Sequence, residues 1–69
     1  MEKRALDWQA VEARAQGMSL VELHAALEDI QRTLPHADAL DRQDRGDRGG
    51  YYRDESSVYR IELKRRGQA

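Results

Sequence analysis

The sequence predicts an all-α fold: an αα-hairpin followed by a third, C-terminal helix, all within one small domain spanning residues 1–69. Three observations lead to it. Leu20, Leu23, Leu27, Ile30 and Leu34 recur at spacings of three, four, three and four, the apolar rhythm of one side of a helix. Residues 2–16 contain neither proline nor glycine and are rich in alanine, the strongest helix former. Gly17 then separates the two stretches and Ser19 follows at once, which leaves room only for a tight helix-to-helix connection.

The first helix is predicted over about residues 2–16. Ala5, Trp8, Val11 and Ala15 share one side of it, Arg4, Asp7 and Arg14 point elsewhere, and Trp8 is its single large anchor. Gly17 suits a left-handed position just past its end. Ser19-Leu20-Val21-Glu22 has the form of a capping box, in which the serine hydroxyl and the glutamate carboxylate satisfy each other's backbone N–H groups. The second helix is predicted over about 20–34. Pro35 is expected to end it, because proline lacks the N–H and restricts the residue before it. Val21, Ala25 and Ala26 widen the leucine row beyond a narrow seam, as a helix with two neighbours would need. Two heptads are too few to mark a coiled coil, so the row fits either an internal core or a contact with a second chain.

Residues 36–50, HADALDRQDRGDRGG, alternate aspartate with arginine and accumulate glycine, the composition of a flexible loop, with 37–40 either extending the helix or forming one helical turn beyond Pro35. The last segment reads two ways. Tyr59, Ile61 and Leu63 alternate with Arg60, Glu62 and Lys64, which gives an α+β alternative with a β-hairpin at 51–64 and Tyr51-Tyr52 on the other arm. Against it, Asp54 suits an N-cap, Glu55 lies in the first turn, Lys64, Arg65 and Arg66 occupy the last turn, and Gly67 follows. Glu62 and Arg66 are also spaced to pair along a helix. A third helix over 54–66 is the preferred reading.

Composition limits what such a chain can do. Its apolar share is 39% without a single phenylalanine, so the core is thin. Domains of this size seldom obtain more than about 3–5 kcal/mol from their core and are usually completed by a disulfide, a metal or a partner. Cysteine is absent, which removes the first and excludes thiolate metal sites and thiol catalysis. A homodimer is therefore expected. No long apolar run marks a signal peptide or membrane span, and a reducing, cytoplasmic setting is the expected location. Ten of the twelve basic residues are arginine, a bias of GC-rich bacterial coding sequences. The net charge of −1 does not fit a strongly basic nucleic-acid domain, yet the charge is unevenly placed. Residues 1–34 carry four basic and six acidic groups, residues 51–66 five basic and three acidic, an asymmetry that an antiparallel contact of two chains would use.

No constellation carries chemistry, and neither a catalytic site, a cofactor nor a metal is expected. Asp41, Asp44 and Asp47 lack the alternating oxygen ligands and distal glutamate of a calcium loop. His24 and Glu28 are one helical turn apart, but a zinc site needs four ligands and His36 is the only other histidine. Gly46, Gly49 and Gly50 precede no Lys-Ser/Thr of a phosphate loop. Ser19, Ser56 and Ser57 sit where helix starts are expected, a capping role rather than a nucleophilic one. The Arg-Gly-Asp at 45–47 is explained by the composition around it.

Ala13 to Leu27, ARAQGMSLVELHAAL, resembles the helix-turn-helix phrase of bacterial regulators, with a small-residue helix, a glycine and a serine-capped second helix. That resemblance implies the second helix in a DNA groove, whereas its polar positions Glu22, Glu28, Asp29, Gln31 and Arg32 carry three acids against one base. A better nucleic-acid patch is Arg53, Arg60, Lys64, Arg65 and Arg66 with Tyr51, Tyr52 and Tyr59 nearby, arginines for phosphate and rings for bases. The preferred expectation is a non-enzymatic helical protein-interaction module or small regulatory adaptor. Its interaction surface would be Leu20, Leu23, Leu27, Ile30, Leu34 and Trp8, with Tyr51, Tyr52 and Tyr59 as further aromatic anchors, and the nucleic-acid accessory is the alternative.

Overall fold

A computed structural model describes residues 7–68, in the order α1 (Trp8–Gln16), α2 (Leu20–Asp44) and α3 (Arg48–Arg65). Residues 51–64 lie inside α3, so the β-hairpin alternative does not apply. α3 is the middle helix. α1 and α2 each pack against it and touch one another little beyond their connection, so the closest side-by-side pair is α2 with α3 rather than α1 with α2.

α1 starts later than the predicted residue 2. Asp7 has extended backbone angles and its carboxylate accepts the N–H of Ala10 at 3.1 Å, so this short polar side chain stops the helix and caps it. The expectation for residues 2–6, Ala5 included, lies outside the described residues. Gly17 ends α1 with φ −88°, not in the left-handed form, and the N–H groups of Gly17 and Met18 close the last turn on Arg14 and Ala15. The capping box then forms as the sequence predicts: Ser19 Oγ accepts from the N–H of Glu22 at 3.1 Å, and Glu22 accepts from the N–H of Ser19 at 2.7 Å.

Pro35 does not end α2, which runs nine residues further to Asp44. Proline removes the hydrogen bond to the carbonyl of Gln31, but both residues lie on the exposed side of α2, where water can serve that carbonyl. What carries the helix past it is burial on the opposite side. Ala37 falls seven residues after Ile30 and fourteen after Leu23, and all three are buried in one row. The leucine row thus continues through a residue too small to register as a core position by pattern alone.

The predicted loop 36–50 shrinks to three residues. Arg45 takes the left-handed conformation at φ 57°, Gly46 follows, and α3 starts at Arg48 instead of residue 54. The aspartates and arginines that looked like a solvated linker form a capping network across the turn. Asp47 stands at the N-cap position without a side-chain cap; the cap comes from the preceding helix instead. The Asp41 carboxylate accepts the N–H of Arg48 at 2.9 Å and of Gly49 at 2.8 Å, and the Arg48 guanidinium reaches Asp44 at 2.7 Å. Gly49 is buried there, and a side chain on it would overlap the Asp38 carboxylate, which Arg53 holds at 2.7 Å. At the far end Gly67, at φ 81°, donates to Lys64 and Gln68 donates to Leu63, the glycine-terminated helix end that the sequence predicts.

The core gathers Val11 and Ala15 from α1, Leu23 and Ile30 from α2, and Val58, Tyr59 and Leu63 from α3. Among the described residues Leu23 is the one large side chain with no accessible surface. The molecule measures 39 × 25 × 15 Å with a radius of gyration of 13.0 Å, against about 11 Å for a compact chain of this length. No helix among the described residues is long and apolar enough to cross a membrane.

Candidate interaction surface

The leucine row turns inward. Leu23 and Ile30 are buried, Leu27 and Leu34 are half-buried against the same core, and only Leu20, 38% exposed, stands at the edge. Its apolar side is thus spent mainly on contacts within the chain, because α3 supplies the neighbouring helix. Tyr59 is buried as well, and Tyr51 and Tyr52 pack edge to face with ring centres 6.1 Å apart against the core. Among the described residues the large apolar groups left facing outward are Leu20 and Val21 at the start of α2, the predicted Trp8, and Ile61, which the prediction did not include. Trp8 is 47% exposed, although Val11 and Ala15 on its helix are buried, and Ile61 on α3 is 64% exposed.

These two residues line one open groove between α1 and α3. Trp8, Glu12, Ala15 and Gln16 form the α1 wall, and Val58, Ile61, Glu62 and Arg65 the α3 wall, around a cavity of about 120 Å³. The spacing explains the lining. Positions 8, 12, 15 and 16 follow one side of α1, and 58, 61, 62 and 65 one side of α3. Ile61 belongs to neither of the apolar sets that the sequence pattern picked for a helix; its place became visible only once Tyr59 and Leu63 were fixed in the core.

Two polar clamps hold the groove's walls at their separation. Arg14 of α1 donates to the Tyr59 hydroxyl at 2.8 Å and to Glu55 at 3.1 Å, and the hydroxyl donates to Glu55 at 2.6 Å. Burial, and then the hydrogen bond to Glu55, push the Tyr59 pKa up. The second clamp is Glu62, 4% exposed at the groove floor. It accepts from Arg65 at 2.6 and 2.9 Å and from Arg66 at 2.6 Å, while Arg66 also donates to the carbonyls of Ala15 and Gln16 at the end of α1. A guanidinium at a helix C-terminus satisfies carbonyls that have no partner inside the helix and meets the negative end of its dipole.

No family model, curated protein or solved structure matches the chain. The reading of the surface therefore rests on its geometry.

That geometry redistributes the predicted nucleic-acid patch. Arg53 is engaged by Asp38, Arg65 and Arg66 by Glu62, and Arg60 donates to Ser56 at 3.1 Å. Arg53 and Arg66 tie α3 to α2 and α1, so replacing Arg66 would loosen α1, whereas Arg60 and Arg65 pair within α3 and Lys64 is exposed. His24, Glu28 and His36 are exposed on α2 and join no cluster of three ligating side chains among the described residues. Ser19 caps α2, and Ser56 and Ser57 donate to the carbonyl of Arg53 within α3.

The clamps make stability acid-sensitive. Hydrogen bonds from Arg65 and then Arg66 push the Glu62 pKa down to about 2; the Gly49 N–H and then Arg48 lower that of Asp41, and Arg48 lowers that of Asp44. A carboxylate with a depressed folded pKa contributes its full stabilisation above its unfolded value, about 4.3 for glutamate, and loses it as pH falls toward the folded value. The melting temperature is expected to hold from neutral pH down to about pH 5 and then fall steeply toward about pH 2. In a Glu62→Gln variant, melting followed by circular dichroism should start lower at neutral pH and fall less on acidification, with Asp41 and Asp44 carrying the remaining slope. Parallel acid profiles for the two proteins would show that Glu62 is not part of the clamp.

Proposed function

We propose that the chain is a helical protein-interaction module that associates with itself, and that the open groove between α1 and α3 is its docking surface. One observation carries this reading: Trp8 and Ile61, two large apolar groups from different helices, stay about half exposed or more on the two walls of one groove. An aromatic anchor beside an aliphatic wall is the arrangement that contributes most at protein interfaces. The small core supports it, since a domain of this size is usually completed by a partner. The nucleic-acid reading has exposed cations in Arg53, Arg60, Lys64 and Arg65 but a chain of net charge −1 around them, and is the weaker of the two.

The test is direct because Trp8 is the only tryptophan. On raising the concentration from micromolar to millimolar, the sedimentation mass should rise from 8.0 kDa to a multiple of it, and Trp8 emission should shift to the blue. Ile61→Glu should keep the helical circular dichroism spectrum and abolish both changes. A constant single-chain mass with unchanged emission would remove the proposal.

A further inference from the structure

We infer that the occupant of the α1–α3 groove is the same groove of a second copy, related by a two-fold axis that sets α1 of each chain against α3 of the other. This rests on the interaction reading above and adds the partner and its alignment. A two-fold contact must be self-complementary, so that whatever one wall presents, the other wall accepts.

The groove meets this condition in both its apolar and its charged groups. The α1 wall presents Trp8 and Glu12, and the α3 wall presents Ile61 and Arg65. Crossing the walls sets Trp8 on the partner's Ile61 and the Glu12 carboxylate against the partner's Arg65. Setting like walls together would instead oppose Glu12 to Glu12 and Arg65 to Arg65. Arg65 is free to make the second contact. Its side chain is 62% exposed, and holding Glu62 takes only Nε and one terminal nitrogen of a guanidinium that has five N–H donors.

The absence of cysteine makes the test clean. Glu12→Cys and Arg65→Cys are prepared as separate proteins, one carrying a mass tag, then mixed and oxidised. The expected product is the mixed disulfide at twice the chain mass, formed in preference to either variant linked to itself. Glu12→Cys linked mainly to itself would overturn the inference, as would a multimeric wild-type mass with no mixed product; both results leave self-association standing. A single-chain mass for the wild type at every concentration would overturn the inference and the reading beneath it together. Since Arg65→Cys removes one partner of Glu62, a second measurement avoids that position. Glu12 is exposed on α1, and Glu12→Arg should weaken self-association at least about tenfold with the helical spectrum intact. Undiminished association of Glu12→Arg would also overturn the inference.

Discussion

Leu23→Ala is expected to unfold most of the protein at room temperature. Leu23 is the one large side chain with no accessible surface among the described residues, and it sits in the cluster where all three helices meet. Truncating a buried leucine costs about 2–5 kcal/mol, the lost transfer energy plus the cavity left behind. A core of this size supplies about 3–5 kcal/mol in all, so the substitution removes most or all of it. Far-ultraviolet circular dichroism of the variant should show largely disordered chain in dilute solution, with helix returning as the concentration rises, because association stabilises the folded form by mass action. Val21→Ala is the matching control. Val21 is 78% exposed on the same helix, and its truncation should stay within about 0.5 kcal/mol of wild type. A Leu23→Ala protein that melts within a few degrees of wild type would mean that the three helices do not share the core described above.

The contrast between these two neighbours shows what the sequence makes legible. Some local signals find their partners within one helical turn, Ser19 with Glu22, Glu62 with Arg66, and Gly67 after the last turn, whereas Gly17 is not left-handed and Asp54, read as an N-cap, lies inside α3. The leucine row is equally legible, because spacing alone puts Leu23, Leu27 and Ile30 on one side. Residues 36–50 mislead because their partners are distant in a different sense. Asp41 reads as a solvating charge until α3 folds back and offers it two backbone N–H groups, and Ala37 and Gly49 are small because two helices approach closely beside them. Composition measures what a segment carries and is silent on what folds back onto it.

The docking surface divides in the same way. Trp8 stands out as the only large group on α1, but its exposure depends on where α3 lies. Ile61 is harder to place, since Tyr59, Ile61 and Leu63 alternate as a strand would. In the helix Tyr59 and Leu63 are four apart and share the buried side, while Ile61 is turned away from them to the groove. The long-range reach of Arg66 to the carbonyls of Ala15 and Gln16, about fifty residues back in the same chain, leaves no local trace at all.

Pro35→Ala is expected to stabilise the protein, the opposite sign from most substitutions. Proline inside a helix costs about 3 kcal/mol relative to alanine, through the missing hydrogen bond to Gln31 and the clash of its ring with that carbonyl. Nothing in the structure returns a direct benefit at this position, since Pro35 is exposed and absent from the core. α2 is helical on both sides of it, so alanine can complete the ladder without moving Ile30 or Ala37. The variant should gain about 1–3 kcal/mol, and in a domain of this size each kcal/mol raises the melting temperature by about 4–8 °C. The gain should be the same at low and high protein concentration, because Pro35 is remote in sequence and structure from the residues that line the α1–α3 groove. An unchanged or lowered melting temperature would carry a specific meaning: the restriction that proline places on α2 would help to present Ala37 and Asp41 to the start of α3, and this would offset the missing hydrogen bond.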